Sequence, residues 1–185
     1  MASPERRVLV VCTANVCRSP VAQQLLHREW TDAGIPVQVT SAGSLGGRNR
    51  VHPATLEAAR FARVDLSEHE SRLLTADLID TEGADLVIGM TREHLRAAIS
   101  LAPTCWPRAF TFRELVRRTS QLATPPASWE DWLAVCHEGR SLSDLIVPEP
   151  TDDLPDPYGR PLSDHIMMVQ EVAGASALLA RSTPS

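Results

Sequence analysis

The sequence contains no apolar run near the roughly 20 residues that a membrane-spanning helix needs. It also lacks any long basic block. Its 18 Lys and Arg are outnumbered by 23 Asp and Glu, for a net charge of −5, so neither a membrane nor a nucleic acid is an expected partner. Cysteine is scarce. Four in 185 residues do not make a disulfide framework, and no Cys or His pair has the spacing that would complete a zinc site with Cys12 and Cys17. There is a single tyrosine, Tyr158. Residues 1–7 are short and charged and run into a strand-like segment, which is not the pattern of a signal peptide. These absences point to a reducing, cytoplasmic setting. The length fits one domain over residues 1–185, and a hydrophobic fraction of 43% is enough for a core.

What is present alternates between strand and helix. Val8–Val11 is an apolar run that reads as a buried strand. From Pro20 to about Ala33, Val21, Ala22, Leu25, Leu26 and Trp30 recur at helical spacing, with Pro20 at the first helical position and Gly34 ending the run. Val37–Val39 is a second strand leading into Ser41-Ala42-Gly43, and residues 44–52 are an exposed loop. Pro53 to Ala62 is helical, with Leu56, Ala59 and Phe61 available for packing. Thr75 to Ile79 has the pattern of a short capped helix. Ala84–Ile88 is a third strand. Thr91 can cap the helix carrying Leu95, Ala98 and Ile99, but the third helical position holds His94 where a capping box has Glu or Gln. Ala109–Thr111 is a fourth strand, and Pro161 to Arg181 closes the chain as a helix with Ile166, Val169, Val172 and Leu179 on its apolar face. The tail, residues 182–185, is expected to fray. The order predicts an α/β domain whose parallel sheet carries helices on both faces. Residues 119–152 break the rhythm. Prolines 125, 126, 148 and 150 bracket Trp129, Trp132, Leu133 and Cys136, which share a helical face and are expected to pack on the parent domain.

The chemistry concentrates in Cys12-Thr13-Ala14-Asn15-Val16-Cys17-Arg18-Ser19-Pro20, at the turn from the first strand to the first helix. A thiol, five residues and an arginine there make a cradle for a tetrahedral anion. Backbone N–H groups and the positive end of the helix face the anion, and Arg18 can hold two of its oxygens with a planar fork. The same field favours a thiolate nucleophile at Cys12. Ligands of parallel sheets bind beyond the carboxyl ends of the strands, where Cys12 lies.

Taken with four later landmarks in order, this loop resembles the low-molecular-weight protein-tyrosine phosphatase family along nearly the whole chain. The landmarks are Ser41-Ala42-Gly43, His69-Glu70-Ser71-Arg72, the Ala84–Val87 strand followed by Met90-Thr91, and Asp156-Pro157-Tyr158. The resemblance implies a small single-domain α/β fold with a four-stranded parallel sheet. It implies attack by Cys12 on phosphorus to form a phosphocysteine, with Arg18 and the loop amides holding the phosphoryl oxygens and Asp156 as acid and then base. Ser19 would donate to the Cys12 sulfur. Asn15 would shape the loop, tied to Ser41, His69 and Arg72, and Tyr158 would wall the substrate pocket with Val16. The substrate implied is a phosphorylated protein or peptide, or a small aryl phosphate, with no cofactor and no metal. Cys17 is either a buried filler or the partner of a reversible disulfide with Cys12. Cys105 and Cys136 are packing residues.

The pattern also departs from the family. Ala14 stands where many members have Gly, and the loop after Gly43 lacks the aromatic wall of eukaryotic-type enzymes. Residues 90–94 and 109–115 resemble the bacterial branch that includes protein-arginine phosphatases. In that branch a Thr in the loop favours phosphoarginine. Here the position holds Val16, which leans toward phosphotyrosine. A protein-arginine phosphatase is the first alternative. Thioredoxin-coupled arsenate reduction lacks its further cysteines after the third strand, and a non-catalytic phosphate-binding module is opposed by the presence of Cys12, Arg18, Ser19 and Asp156 together.

Overall fold

The computed structural model describes residues 5–146 and 150–184. Four strands, β1 (Arg6–Cys12), β2 (Val37–Gly43), β3 (Leu86–Gly89) and β4 (Ala109–Thr111), form one sheet in the order β2-β1-β3-β4. All neighbours are parallel. Strand alternation divides β1 between two cores. Val8, Val10 and Cys12 face one cluster with Leu25, Leu26, Trp30, Phe110 and Val172, while Leu9 and Val11 face another with Leu78, Ile79, Leu95 and Ala98. Each face is therefore apolar and covered by helices, as a parallel sheet requires. The chain leaves β1 to pair β2 on one side and returns to pair β3 on the other. The carboxyl end of β1 is thus the topological switch point, where the fold opens a crevice.

Helix α1 (Arg18–Asp32) begins two residues earlier than the sequence pattern predicts. Pro20 is its third residue, not its first. Proline is tolerated there because the first four N–H groups of a helix have no intrahelical partner to lose. Helix α2 (Pro53–Phe61) buries Ala58 and Ala59, but Phe61, expected to pack, is 70% exposed. The short α3 (Ala76–Ile79) follows Thr75 without a side-chain cap bond. Helix α4 (Arg92–Leu101) corrects the reading of an incomplete capping box, because the His94 ring nitrogen Nδ1 accepts from the Thr91 N–H at 3.0 Å. Helix α5 (Phe112–Thr119) leads into the segment that breaks the alternation.

Within residues 119–152, α6 (Trp129–His137) turns Trp129, Trp132 and Cys136 into the same core as β1. Trp129 meets Trp30 edge to face at 6.3 Å. The Arg140 guanidinium lies 4.0 Å from the Trp106 ring and 4.2 Å from that of Phe110, and it bonds Glu114 at 2.8 Å. Cation–π stacking and an ion pair thus fasten the far end of the segment. Pro148 lies outside the described residues.

The last helix, α7 (Leu162–Ser182), packs on α1 and α2. The tail beyond it does not fray as expected. Thr183 is buried, accepts from Trp30 Nε1 at 3.0 Å and donates to the Leu179 carbonyl at 2.7 Å. Ser185 lies outside the described residues. No helix among the described residues is long and apolar enough to cross a membrane.

Candidate active site

The run from Cys12 to Cys17 wraps into a loop because its carbonyls are drawn outward. Thr13, Asn15 and Val16 carbonyls accept from Leu45 N–H (2.8 Å), His69 Nε2 (3.1 Å) and His52 N–H (3.0 Å). In a trans peptide the N–H opposes the C=O, so the amides of Ala14, Val16 and Cys17 turn to the inside of the loop. Asn15 N–H reaches Cys12 Sγ at 3.2 Å. The end of β2 presses on the loop from outside. A Cβ on Gly43 would lie 2.9 Å from the Thr13 oxygen and the Ala14 carbonyl carbon, so only glycine fits there.

Asn15 is the hub. It is fully buried and adopts φ 56°, a left-handed conformation that Asn tolerates better than most residues. Its Nδ2 donates to Ser19 Oγ and to Ser41 Oγ, both at 2.8 Å. Its Oδ1 accepts from Arg72 N–H at 3.1 Å, and Arg72 Nε in turn bonds the Ser41 carbonyl at 2.9 Å. Because Ser19 Oγ already accepts from Asn15, its proton is free for Cys12 Sγ, 3.0 Å away. Burial holds the His69 pKa below the ordinary value, which favours the neutral ring, and its Nε2 faces the Asn15 carbonyl. Ala14 does not have a positive φ, so nothing there calls for glycine.

Asn15→Ala removes three hydrogen bonds, two of them buried, and places alanine in a left-handed conformation. It is expected to destabilise the fold by about 2–4 kcal/mol, lowering the melting temperature by about 5–15 °C. Asn15→Gly removes the same bonds without the backbone strain, so it should lose less. Equal losses in thermal unfolding would assign the whole cost to the hydrogen bonds.

Arg18, the first residue of α1, is 3% exposed. Its Nη1 donates to the Leu154 carbonyl at 3.1 Å. Its Nη2 donates to Thr13 Oγ1 at 3.0 Å and to Asp156 Oδ2 at 2.5 Å. Its Nε is buried with no partner among the described residues. Asp156 Oδ1 accepts from Tyr158 N–H at 3.1 Å, a turn that sets the carboxyl and the aromatic side by side. Cys12, Thr13, Ala14, Val16, Cys17, Arg18, Asp156 and Tyr158 together line one pocket of about 190 Å³. The structure therefore brings both predicted pocket residues, Val16 and Tyr158, to the loop, although Asp156 is 138 positions from Arg18, while the loop residues Asn15 and Ser19 do not line the pocket. Burial pushes the Cys17 thiol up to about 11, against a smaller opposing effect of the Thr55 hydroxyl. Burial likewise raises Cys105 and Cys136 to about 11, as expected of packing thiols.

Several supports were not visible in the sequence. The segment before Asp156 is tied to the β3–α4 junction: Leu154 N–H bonds the Met90 carbonyl at 2.8 Å, and Asp153 Oδ1 accepts from Arg92 N–H at 2.7 Å. The carboxylate of buried Asp152 takes Arg92 Nη2 and Arg117 Nη2, each at 3.0 Å. Behind Tyr158 stands His52, ring centroids 5.3 Å apart, and behind His52 lies His165, stacked at 4.9 Å. His165 Nδ1 pairs with Thr55 Oγ1 at 2.8 Å. These partners lie far apart in sequence and carry no local pattern. Among the described residues no group of three or more His, Cys, Asp or Glu could hold a metal ion.

The sequence model of the low molecular weight phosphotyrosine protein phosphatases matches residues 7–125. The low molecular weight protein-tyrosine-phosphatase Etp of Escherichia coli (strain K12) is 38% identical over 99 residues, covering 52% of this chain and 62% of that protein. The chain thus spans less than two thirds of that relative's length. A protein-arginine-phosphatase of Bacillus subtilis (strain 168) is 36% identical over 110 residues, 59% of this chain and 71% of the relative. The crystal structure of a low molecular weight protein tyrosine phosphatase from T. tengcongensis superposes with a TM-score of 0.69 at 27% identity, over 94% of this chain and 97% of that one. With the family model matching more than half of the sequence and the fold shared with a solved member, the chain belongs to the low molecular weight phosphotyrosine protein phosphatase family.

Proposed function

We propose that this protein hydrolyses phosphotyrosine, or a similar aryl phosphate, on a protein or peptide through a phosphocysteine intermediate, with residues 1–185 acting as one phosphatase domain and 119–152 as an insert. The observation that carries the reading is the convergence of Cys12 Sγ, the Arg18 guanidinium and the Asp156 carboxyl on one small pocket. The Cys12 thiolate attacks phosphorus and the ester P–O bond breaks, while Asp156 gives its proton to the departing oxygen. Water then attacks phosphorus and yields its proton to Asp156. The P–S bond breaks, inorganic phosphate leaves and the thiolate returns. Arg18, the inward amides of the loop and the first turn of α1 carry the charge on the phosphoryl oxygens throughout. Arg18 Nη2 holds Asp156, so an entering phosphoryl group competes for that donor and turns the carboxyl toward the leaving oxygen. All four cysteines are free thiols, which suits a cytoplasmic setting.

Phosphoarginine is the second reading, favoured by the Bacillus subtilis relative. Val16 lines the pocket and has no hydroxyl for a polar contact, which supports the aryl ester. Metal-free hydrolysis of matched phosphotyrosine and phosphoarginine peptides tests this. Release from phosphotyrosine is expected to be faster by about tenfold or more, one hydrogen bond's worth of discrimination. The reverse preference would move the protein to the arginine branch, and release from neither would refute hydrolysis of both the aryl ester and the phosphoramidate.

A further inference from the structure

We infer that His94 is a positioning residue of the phosphate cradle: its Nε2–H holds the Thr13 hydroxyl so that the Thr13 proton is presented to the phosphoryl group. This rests on the reading of the loop as a phosphate site.

The argument is one of donors and acceptors. His94 lies on the first turn of α4, 2% exposed. The Thr91 N–H can only donate, and it meets His94 Nδ1 at 3.0 Å. Thr91 Oγ1 lies on the same nitrogen at 2.9 Å. Nδ1 is therefore the bare nitrogen, and the neutral ring carries its proton on Nε2. That proton faces Thr13 Oγ1 at 3.1 Å. Arg18 Nη2 donates to the same oxygen at 3.0 Å. A hydroxyl has two acceptor sites and one proton. Both acceptor sites are filled, so Thr13 can act only as a donor. No acceptor for it occurs among the described hydrogen bonds, and its side chain is only half-buried, on the wall of the pocket beside Arg18 and Asp156. An anion bound there supplies the missing acceptor. Burial, reinforced by the nearby Arg18 charge, pulls the His94 ring down to about 3, so the arrangement holds at any pH where the enzyme would work. Ser19 is directed at Cys12 by the same logic through Asn15. The loop thus has two oriented hydroxyls, one for the nucleophile and one for the substrate.

The test is calorimetric titration with inorganic phosphate, with phosphotyrosine kcat/KM measured alongside. Thr13→Val keeps the shape and loses the donor. It should weaken phosphate binding by about 10- to 100-fold, and Thr13→Ser should stay within about threefold of wild type. His94→Leu should weaken binding in the same direction, and His94→Gln, whose amide can donate near the Nε2 position, should recover part of it. The double variant Thr13→Val/His94→Leu should lose no more than Thr13→Val alone, because His94 acts through the hydroxyl. Should His94→Leu unfold, the Thr13 pair and His94→Gln carry the test. Normal phosphate binding by Thr13→Val, or losses that multiply in the double variant, would overturn the inference. The titration decides this even if the chain hydrolyses neither phosphotyrosine nor phosphoarginine, an outcome that would sink the proposed reaction alone. Wild-type protein that binds no phosphate would overturn both.

Discussion

Cys12→Ser is expected to lower phosphotyrosine hydrolysis by at least about a thousandfold, as loss of a covalent nucleophile does, while the protein still binds inorganic phosphate. The size of the effect follows from what surrounds the sulfur. Sγ accepts from Asn15 N–H and from Ser19 Oγ. Both groups stabilise an anion and neither can remove a proton. A thiol needs no more than that, because thiols as a class ionise far more readily than alcohols and a thiolate is strongly nucleophilic. A serine hydroxyl ionises far above neutral pH and requires a base bonded to its own oxygen, and neither of the groups on this atom, Asn15 N–H and Ser19 Oγ, is one. The cradle itself is unchanged, because Arg18 and the inward amides do not depend on the sulfur. Removing a negative charge from beside the phosphate should leave its affinity equal or tighter. Retained turnover above about a tenth of wild type would show that another group attacks phosphorus. Loss of phosphate binding would show that the sulfur shapes the loop as well.

The parts of this site that were legible in the sequence are those built from one continuous stretch. Cys12 to Pro20 carries the proposed nucleophile and clamp and the helix start within nine positions, and the Val8–Val11 run before it reads as a buried strand. The element order then fixed Cys12 at the carboxyl end of β1. Boundaries were less legible where proline was the guide: Pro20 fits the third position of α1 as well as the first, so the helix start at Arg18 left no mark. Phe61 looked like a core residue by spacing, yet the short α2 buries its alanines and leaves the ring in solvent. The Thr183 contact with Trp30 crosses 153 positions, and nothing local marks a tail residue as buried. His94 was misread for a different reason. Capping boxes are recognised by Glu or Gln, and a ring nitrogen can do the same work when its second nitrogen has somewhere to send a proton. That second partner, Thr13, is 81 positions away. Long-range polar pairs of this kind carry no periodicity, so sequence reasoning has no handle on them.

Asp156→Asn is expected to reduce kcat/KM for a phosphotyrosine peptide by about 100- to 10,000-fold, the usual range for a lost general acid, and to cost an activated ester such as a nitrophenyl phosphate far less. Asparagine suits the test because it keeps the Oδ1 that accepts from Tyr158 N–H. The Leu154 and Asp153 anchors lie in the backbone and side chains before it, so the loop should hold its shape. What disappears is the proton for the departing oxygen and the ion pair with Arg18. A phenol of ordinary acidity leaves poorly without that proton, whereas a nitrophenolate leaves without help. The comparison belongs in kcat/KM, which reports the first bond-breaking step; kcat also contains the hydrolysis of the phosphocysteine, where the proposed base, Asp156, would act for every substrate alike. A steep dependence of the defect on leaving-group acidity would identify Asp156 as the acid. An equal loss for both esters would mean instead that Asp156 orients Arg18 and Tyr158, and the proton would have to come from another group on the pocket wall.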